Sequence, residues 1–339
     1  MTDAREQDPA FAAPAAPASL IPGPRPTFSV VVAAYQTADV VGAAVAAALA
    51  QTEPPLEIVV ADDGSTDDLS SALEPYAEAV TLLRLPHRGA APATNDAVAG
   101  VRGDFVAILD ADDTWDPRRL ARLGDLASSR PDLDLLTTDA FFVVDGNRRS
   151  RFYEHNEFAT TDQATEILRR TFFFAHVAVR RSRWVELGGF TPDLARGYDW
   201  DLQLRLLVSG SAAGCVLEPL ADYTIHPQSL SARRWESMQA RVDLLDRAAS
   251  TQPLSPVQRV ALAEARERYR RRGVAALTEQ RLLDGAPGRR RAALDQLRIP
   301  GGARERAFLF AAFVAPGWAG RRLRRRTREH GRASSDRVV

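Results

Sequence analysis

Three aspartates, Asp110, Asp112 and Asp113, stand within four positions directly after the apolar run 105–109. A short apolar run between turn signals predicts a buried strand of a parallel sheet, and ligands bind at the carboxyl ends of such strands. Carboxylates this close together repel one another unless a cation lies among them. An all-oxygen ligand set suits Mg²⁺ or Mn²⁺, although a solvated acidic turn with Asp116 as a helix cap fits this stretch equally well.

A second pair of acids, Asp62 and Asp63, follows the β-branched run 58–60 in the same way. Two neighbouring strands that both end in aspartates are hard to explain by the requirements of folding alone. Apolar runs alternate with helix-like segments along this part of the chain, which predicts βαβ units and a doubly wound, mostly parallel sheet. The two acidic clusters therefore favour a binding site at one edge of that sheet.

Three stretches in combination resemble the family 2 glycosyltransferases, which have the GT-A fold. They are FSVVVAAY at 28–35, LEIVVADDGSTDD at 56–68 and GDFVAILDADD at 103–113. In that family the first strand ends in a small-residue-plus-Tyr turn, the second in a DDGS-type motif, and the fourth in a D-x-D metal motif. The resemblance extends to about residue 231 and implies an α/β fold with a Rossmann-like nucleotide half and an acceptor half.

The resemblance implies how the nucleotide of a sugar donor is bound. Asp63 would accept a hydrogen bond from the N3–H group of uracil or thymine, and Asp62 would support it. Ala34 and Tyr35 would form the wall of the pocket.

The third loop of the family is polar, and this chain matches it only in part. Arg88 and Asn95 are the candidate nucleotide contacts there, whereas Thr94 stands where an arginine is common.

The D-x-D motif of the family holds a metal, so the acidic turn would place Mn²⁺ or Mg²⁺ against the donor diphosphate. Asp113 is the favoured direct ligand, with Asp110 and Asp112 beside it. The stretch YTIHPQSLS at 223–231 resembles the pattern that closes the catalytic domain near the diphosphate, which adds His226 as a further metal ligand. A hydrogen-bonded structural histidine is the alternative for His226.

The stretch GGFTPDLARGYDWDLQLR at 188–205 places Asp199 and Asp201 in the first turn of a predicted helix. Both acids could simply complement the helix dipole. The stretch resembles the family pattern GGF…EDWDLxLR, in which the aspartate after the glutamate is the catalytic base. Here that aspartate is Asp199, and Tyr198 replaces the glutamate. Asp201 is interpreted as structural.

Composition excludes several other classes of protein. The 339 residues are 45% hydrophobic and 26% charged with no net charge, as in ordinary globular proteins. The chain has no lysine and no G-x-G-x-x-G after its first strand, which argues against Walker-type NTPases and dinucleotide dehydrogenases. Its one cysteine, Cys215, allows no internal disulfide, is expected in the core, and suits the reducing cytoplasm.

Four segments are predicted. Residues 1–27 form a disordered leader, 28–235 the glycosyltransferase domain, 236–300 a helical extension, and 301–339 an amphipathic, arginine-rich tail. The apolar stretch 307–319 is too short to span a bilayer and suits an anionic membrane surface. Packing on the catalytic domain is an alternative, and nucleic-acid binding is disfavoured because aromatic and basic residues are not interleaved.

The expected function is inverting, metal-dependent transfer of a sugar from a UDP- or dTDP-linked donor to a hydroxyl of a glycan, polysaccharide or lipid-linked acceptor. Transfer is expected to be non-processive because the Q-x-x-R-W signature is absent, and the enzyme is expected at the inner face of the plasma membrane. A sugar-nucleotide pyrophosphorylase would need a Lys-bearing first loop. An inactive nucleotide-sugar-binding module, or a scaffold of a glycan assembly system, remains the alternative.

Overall fold

A computed structural model of the chain describes residues 10–17, 20–226, 234–299 and 303–331. The chain divides into two compact units, Met1–Ile225 and His226–Val339. The first unit contains a mixed sheet with helices, and the described part of the second is helical.

The first unit follows an alternating order of strands and helices. Its strands are β1 Phe11–Ala12, β2 Phe28–Ala34, β3 Glu57–Asp62, β4 Thr81–Arg84, β5 Phe105–Asp110, β6 Thr114–Trp115, β7 Leu133–Val144, β8 Asn147–Arg151, β9 Ala178–Arg180 and β10 Ala212–Thr224. Its helices are α1 Val41–Leu49, α2 Leu69–Leu73, α3 Ala90–Gly100, α4 Arg119–Ser129, α5 Phe152–His155, α6 Gln163–Arg169, α7 Arg181–Glu186 and α8 Tyr198–Val208.

The sheet has the order β1-β10-β7-β9-β5-β2-β3-β4. The four strands β5, β2, β3 and β4 pair in parallel, and β10 pairs in parallel with β7. Strand β9 runs antiparallel between β5 and β7, and β1 is antiparallel to β10. The predicted mostly parallel sheet is therefore confirmed.

Both faces of the central strands are buried, which explains their unbroken apolar runs. Val30 and Val32 belong to a core cluster with residues of α1 and α4, whereas Val31 between them is fully buried on the opposite face. Helix α1 buries Val41, Ala44, Val45 and Ala48, and small side chains in this stripe allow close packing on the sheet.

The prediction of a disordered leader is wrong for part of residues 1–27. Phe11–Ala12 pairs with Val216 and Cys215 of β10, and Arg25 contacts Glu53 and Asp125. The Ala- and Pro-rich composition conceals these contacts, because two residues are enough to add an edge strand. Residues 1–9 and 18–19 lie outside the described residues.

Three connections in the first unit are short. After β3 the chain forms only α2 and then a 3₁₀ turn at Glu74–Tyr76, since Pro75 cannot continue an α-helical ladder. The three phenylalanines at 172–174 are buried ahead of the short strand β9. A tight hairpin turn joins β7 to β8.

The second unit contains α9 Arg234–Thr251, α10 Pro256–Asp284, α11 Arg289–Leu297, α12 Ala303–Val314 and α13 Pro316–Gly331. Helices therefore end at Thr251 and at Asp284. Ser255 caps α10 through the amide of Gln258, and Gly285 ends that helix with φ of 67°. Among the described residues, no helix is both long and apolar enough to cross a membrane.

Gly103 precedes β5 at a point where the chain crosses β2 closely. A Cβ atom at this position would lie 2.5 Å from the backbone nitrogen of Ser29 and 2.9 Å from the carbonyl carbon of Phe28. Gly103→Ala should therefore lower the free energy of unfolding by ~1–3 kcal/mol, as overpacking does. Gly100→Ala is the matched control, because a Cβ there meets nothing within 4 Å. Urea unfolding of both variants measures this, and equal stability would contradict the proposed crowding.

Candidate active site

Parallel pairing brings the ends of β2, β3 and β5 to one edge of the sheet. Ala34 pairs with Asp62 on β3, and Ala33 pairs with Asp110 on β5. Adjacent strands lie about 4.8 Å apart, so the two acidic strand ends flank the end of β2 at a separation of roughly 10 Å. The aspartates that the sequence places after two strands thus share one edge.

Asp63 is buried, with 2% of its surface exposed, and its carboxylate holds the loop between β4 and α3. One oxygen accepts from the amide of Arg88 and the other from the amide of Gly89, each at 2.8 Å. Asp62 accepts from the amide of Ser65 at 2.8 Å. Both acids therefore organise loops at the sheet edge, whatever they contribute to a ligand.

Tyr35 is stacked on His87, with ring centroids 4.1 Å apart and an angle of 17° between the planes. His87 Nδ1 lies 2.9 Å from an Asp63 carboxylate oxygen, and about half of its side chain is exposed. The backbone fits here because Gly64 has φ of 75° and a Cβ on it would lie 2.7 Å from the His87 nitrogen. Sequence reasoning missed His87; the signal that could have found it is a histidine directly after Pro86, in the loop that follows β4.

The structure gives Arg88 and Asn95 protein partners. The Arg88 guanidinium pairs with Asp96. The Asn95 amide donates to the carbonyl of Phe190 at 2.7 Å and accepts from its amide at 2.9 Å. Asn95 thus ties α3 to the turn at Gly189, where a Cβ atom would collide with its side-chain oxygen. A nucleotide contact for either residue stays a prediction.

The acidic turn after β5 contains carboxylates of very different exposure. The side chain of Asp110 is 46% exposed, whereas that of Asp113 is 1% exposed. Asp113 accepts from the amide of Thr224 at 2.6 Å, and its other oxygen lies 2.9 Å from Nε2 of His176. Among the described residues, Asp110, Asp113 and His176 could bring ligand atoms within 4.8 Å of one another.

For Asp113 and His176, burial and the charge of the neighbouring group shift the pKa in opposite directions. Burial raises the pKa of the Asp113 carboxyl, and His176 opposes this. Burial lowers the pKa of His176, but the carboxylates of Asp110 and Asp113 raise it, with a net increase. Trp115 donates from Nε1 to His176 Nδ1 at 3.0 Å, and a proton on Nδ1 would break this hydrogen bond. We therefore assign His176 as neutral. The sequence analysis missed this histidine, a lone polar residue in an apolar run.

Helix α8 starts after Gly197, which adopts φ of 71°, and carries Asp199 and Asp201 in its first turn. Asp201 is buried and bonded to the hydroxyl of Thr191 at 2.6 Å and to Arg205 at 2.8 Å. These contacts support the structural interpretation of Asp201. Asp199, one position from Tyr198, is half-buried.

Tyr198 connects α8 with the acidic turn. Burial raises the pKa of the Tyr198 hydroxyl, and the charges of Asp110 and Asp199 raise it further. The two carboxylates are therefore close enough to act on one phenol. Its ring packs on Phe190, with centroids 4.9 Å apart. The candidate base and the acidic turn thus lie near one side chain.

Two further residues, Asp112 and His226, are predicted metal ligands. Asp112 is half-buried in the turn after β5. His226 is the first residue of the second unit, so its part in the site stays a prediction.

Comparison with known families agrees with this geometry. Residues 29–187, which include β2, β3, β5 and both acidic motifs, match the family described as Glycosyl transferase family 2. This similarity to glycosyltransferase family 2 covers just under half of the 339 residues. The family resemblance and the transferase activity that were expected from the motifs are confirmed.

The relatives of this chain have names that refer to polysaccharide biosynthesis. It is 28% identical over 218 residues to a putative teichuronic acid biosynthesis glycosyltransferase, TuaG of Bacillus subtilis, covering 63% of this chain and 84% of that one. It is 32% identical over 231 residues to the succinoglycan biosynthesis protein ExoO of Rhizobium meliloti, covering 62% of this chain and 63% of that one. The match therefore spans less than two thirds of ExoO.

Solved structures show the same fold. Residues 1–349 of S. aureus TarS in complex with UDP align with a TM-score of 0.56 and 17% identity, over 90% of this chain and 92% of that one. The mannosyltransferase PcManGT from Pyrobaculum calidifontis, in complex with GDP-Man and Mn²⁺, gives 0.56 and 20%, over 90% of both chains. The GT-A fold expected from the sequence is confirmed.

The loop contacts of Asp63 can be separated from ligand binding. Asp63→Asn would turn an amide NH₂ group toward the Arg88 or Gly89 amide, leaving one buried donor without an acceptor. We expect the free energy of unfolding of the ligand-free protein to fall by ~1–3 kcal/mol. Asp39→Asn on the exposed surface is the control. Unchanged stability of Asp63→Asn in urea would leave Asp63 without a loop-holding role.

Proposed function

We propose that this glycosyltransferase moves a single sugar from a nucleotide-sugar donor to a hydroxyl of a glycan or lipid-linked acceptor, with inversion at the anomeric carbon. One observation supports the proposal: parallel pairing brings Asp62 and Asp110 to one edge of the sheet, and burial together with the charges of Asp110 and Asp199 raises the pKa of Tyr198. We propose that this edge carries both the metal-binding turn and the base.

The donor is proposed to be UDP- or dTDP-linked. The exposed stack of Tyr35 on His87 offers an aromatic surface for a base, at the loop that Asp63 holds. TarS was solved with UDP and with UDP-GlcNAc, whereas PcManGT was solved with GDP-Man, so the fold itself does not choose the base. The carboxylate of Asp63 suits an N3–H donor on uracil or thymine, provided that the base reaches this buried group.

The proposed cofactor is Mn²⁺ or Mg²⁺, because the acidic turn offers hard carboxylate oxygens at the ligand edge. Asp110 and Asp112 are the partly exposed candidates. Asp113, which the sequence favours as direct ligand, is almost fully buried and already accepts from Thr224. A bound divalent cation would stabilise the negative charge that develops on the diphosphate.

Asp199 is proposed as the general base. Its carboxylate takes the proton of the acceptor hydroxyl while that oxygen forms a bond to the anomeric carbon. The bond from that carbon to the diphosphate breaks, and the diphosphate leaves with the electron pair. Attack opposite the leaving group inverts the configuration. Tyr198 keeps its proton, because its pKa is raised, and so cannot replace Asp199 as base.

Cell-envelope polysaccharide is the proposed destination of the sugar. The names of the relatives refer to teichuronic acid, succinoglycan and O-antigen biosynthesis. An inactive nucleotide-sugar-binding module, the alternative expected from the sequence, is supported by Tyr198, which stands in place of the family's glutamate.

The second unit supports contact with an anionic membrane surface. Phe310 and Val314 on α12 and Trp318 on α13 are 62%, 56% and 43% exposed, although each is large and apolar. Phe310 and Val314 are four residues apart and so lie on one side of α12, and Trp318 follows in the first turn of α13. Arg321 and Arg322 are exposed next to them, and the Arg322 guanidinium lies 5.6 Å from the Trp318 ring centroid. Aromatic residues beside arginines suit a headgroup layer, at the inner face of the plasma membrane.

The base assignment is tested with Asp199→Asn. We expect transfer to fall by at least ~100-fold, the usual scale of general-base catalysis. Binding of the donor should persist, because the role proposed for Asp199 is directed at the acceptor hydroxyl. Thermal unfolding with UDP, dTDP, GDP or CMP, with and without Mn²⁺, measures binding; saturating ligand should add ~2.7 kcal/mol at a hundred times its Kd.

Asp201→Asn provides the matched control for position and chemistry. This variant should lose stability through its contacts with Thr191 and Arg205 rather than lose turnover per folded molecule. Normal turnover by Asp199→Asn would refute the base. A wild-type protein that no nucleoside diphosphate stabilises, with or without Mn²⁺, would instead favour the inactive module.

Membrane contact is tested by replacing Phe310 and Trp318 with serine. The vesicle partition coefficient should fall at least tenfold on anionic vesicles, because burial of each side chain contributes about 1.5–3 kcal/mol. Val257→Ser with Val260→Ser is the control, since both valines are exposed on α10. Sedimentation with vesicles of anionic or zwitterionic lipid measures the effect. Equal binding by both double variants would rule out Phe310 and Trp318 as membrane contacts.

A further inference from the structure

A buried polar relay lies beneath the acidic turn and consists of Trp115, His176 and Asp113. Their exposed fractions are 5%, 0% and 1%. Trp115 belongs to β6, which pairs with β10, whereas His176 precedes β9. The relay therefore joins two distant segments of the chain, the acidic turn with β6 and the stretch before β9, beneath the carboxylates that are proposed to face the donor.

The direction of the hydrogen bonds in this relay follows from chemistry. Trp115 Nε1 can only donate, and it lies 3.0 Å from His176 Nδ1. Nδ1 must then be the unprotonated acceptor, which leaves the proton of the neutral ring on Nε2. That nitrogen is 2.9 Å from an Asp113 carboxylate oxygen. The relay thus runs from indole to imidazole to carboxylate.

One feature of the contact opposes a fully formed bond. The same Asp113 oxygen is buried without a well-directed donor, although the ring nitrogen is at hydrogen-bonding distance. The amide of Asp110 also points at Nε2, at 3.5 Å, the outer limit of a hydrogen bond, whereas the buried bond from Trp115 to Nδ1 is 3.0 Å long. The shorter bond keeps Nδ1 as the acceptor and leaves the proton on Nε2, and a small rotation of the Asp113 carboxylate would align it with that proton. The other possible partner of that oxygen is a cation.

Arg119 on α4 fixes the histidine from the opposite side. Its guanidinium donates to the carbonyl of His176 and to the hydroxyl of Thr138, and it lies 5.0 Å from the Trp115 ring centroid. Burial lowers the pKa of Arg119 to about 9, so the group stays charged at neutral pH. His176 is therefore held both at its backbone carbonyl and at Nδ1 of its ring before any ligand binds.

Asp113 transmits this restraint to the acidic turn. Its second oxygen accepts from the amide of Thr224 at the end of β10, at 2.6 Å. Asp110, three residues earlier, keeps 46% of its side chain exposed. A fixed Asp113 thus leaves the preceding carboxylates in a defined position at the edge of the sheet.

We infer that His176 is a positioning residue which, as the Nε2–H tautomer fixed by Trp115, donates to Asp113 and holds the acidic turn, and that it is not a metal ligand. A histidine that binds a metal through one ring nitrogen almost always donates the N–H group of the other nitrogen to an acceptor. Here the other nitrogen faces a donor, so a metal at Nε2 would require an imidazolate ring or loss of the Trp115 bond. The inference rests on the proposed metal role of the turn.

The tautomer is measured in the metal-free protein, independently of donor and turnover. In ¹⁵N-histidine-labelled protein, the signals lost in His176→Gln should report an unprotonated Nδ1 and a protonated Nε2. Trp115→Phe should remove this fixed tautomer, because the donor to Nδ1 is gone. A protonated Nδ1 in the wild-type protein would overturn the inference, whether or not the glycosyltransferase proposal stands.

Metal binding provides the second readout, with His176→Gln and His176→Leu as a matched pair. The glutamine amide can replace the Nε2–H donor, whereas leucine fills similar space without one. We expect the Kd for Mn²⁺ with UDP to stay within ~3-fold in the glutamine variant and to rise at least ~10-fold in the leucine variant, which is about 1.4 kcal/mol. Equal weakening, or no weakening in either, would overturn the positioning role.

Electron spin-echo spectroscopy of bound Mn²⁺ separates a ligand from a neighbour. A ¹⁴N coupling that is lost in His176→Gln would make His176 a ligand and overturn the inference. A coupling that persists there and is lost in His226→Gln would support it. If Mn²⁺ does not bind the wild-type protein at all, the proposed metal site fails, and the tautomer measurement alone decides on the relay.

Discussion

Carboxylates that collect at the carboxyl edge of a parallel sheet repel one another, and a buried carboxylate without donors is strongly destabilising. The first unit meets this constraint chiefly with backbone amides. Asp62 accepts from Ser65, Asp63 from two amides of the next loop, and Asp113 from Thr224. Each contact fixes a loop or strand end against the sheet, so compensation of charge and construction of the site are the same set of interactions.

This arrangement explains why the acidic motifs were readable from the sequence and their individual roles were not. Strand ends follow from local patterns of apolar residues, and parallel pairing then brings the acids together. Which oxygen of Asp63 accepts from which amide depends on a loop about 25 residues away in the chain. For the same reason Asn95 could be seen as polar, but not as bonded to the backbone of Phe190.

The residues that the sequence did not reveal share a physical cause. His87 and His176 act through contacts with distant partners, Tyr35 and Trp115, and neither lies in a motif of its own. The short strand at Phe11–Ala12 depends likewise on an edge offered by β10, which its own composition cannot show. Local propensity predicts elements, whereas these features require the assembled sheet.

Tyr198 shows how a departure from a family pattern can suit the constraint on charge. A glutamate at this position would add another carboxylate close to Asp110 and Asp199, whereas the phenol is neutral. Burial and those two charges raise its pKa, so the hydroxyl keeps its proton and remains able to donate. The substitution therefore reduces the repulsion at the sheet edge while leaving Asp199 as the carboxylate of this turn that could take a proton from an acceptor.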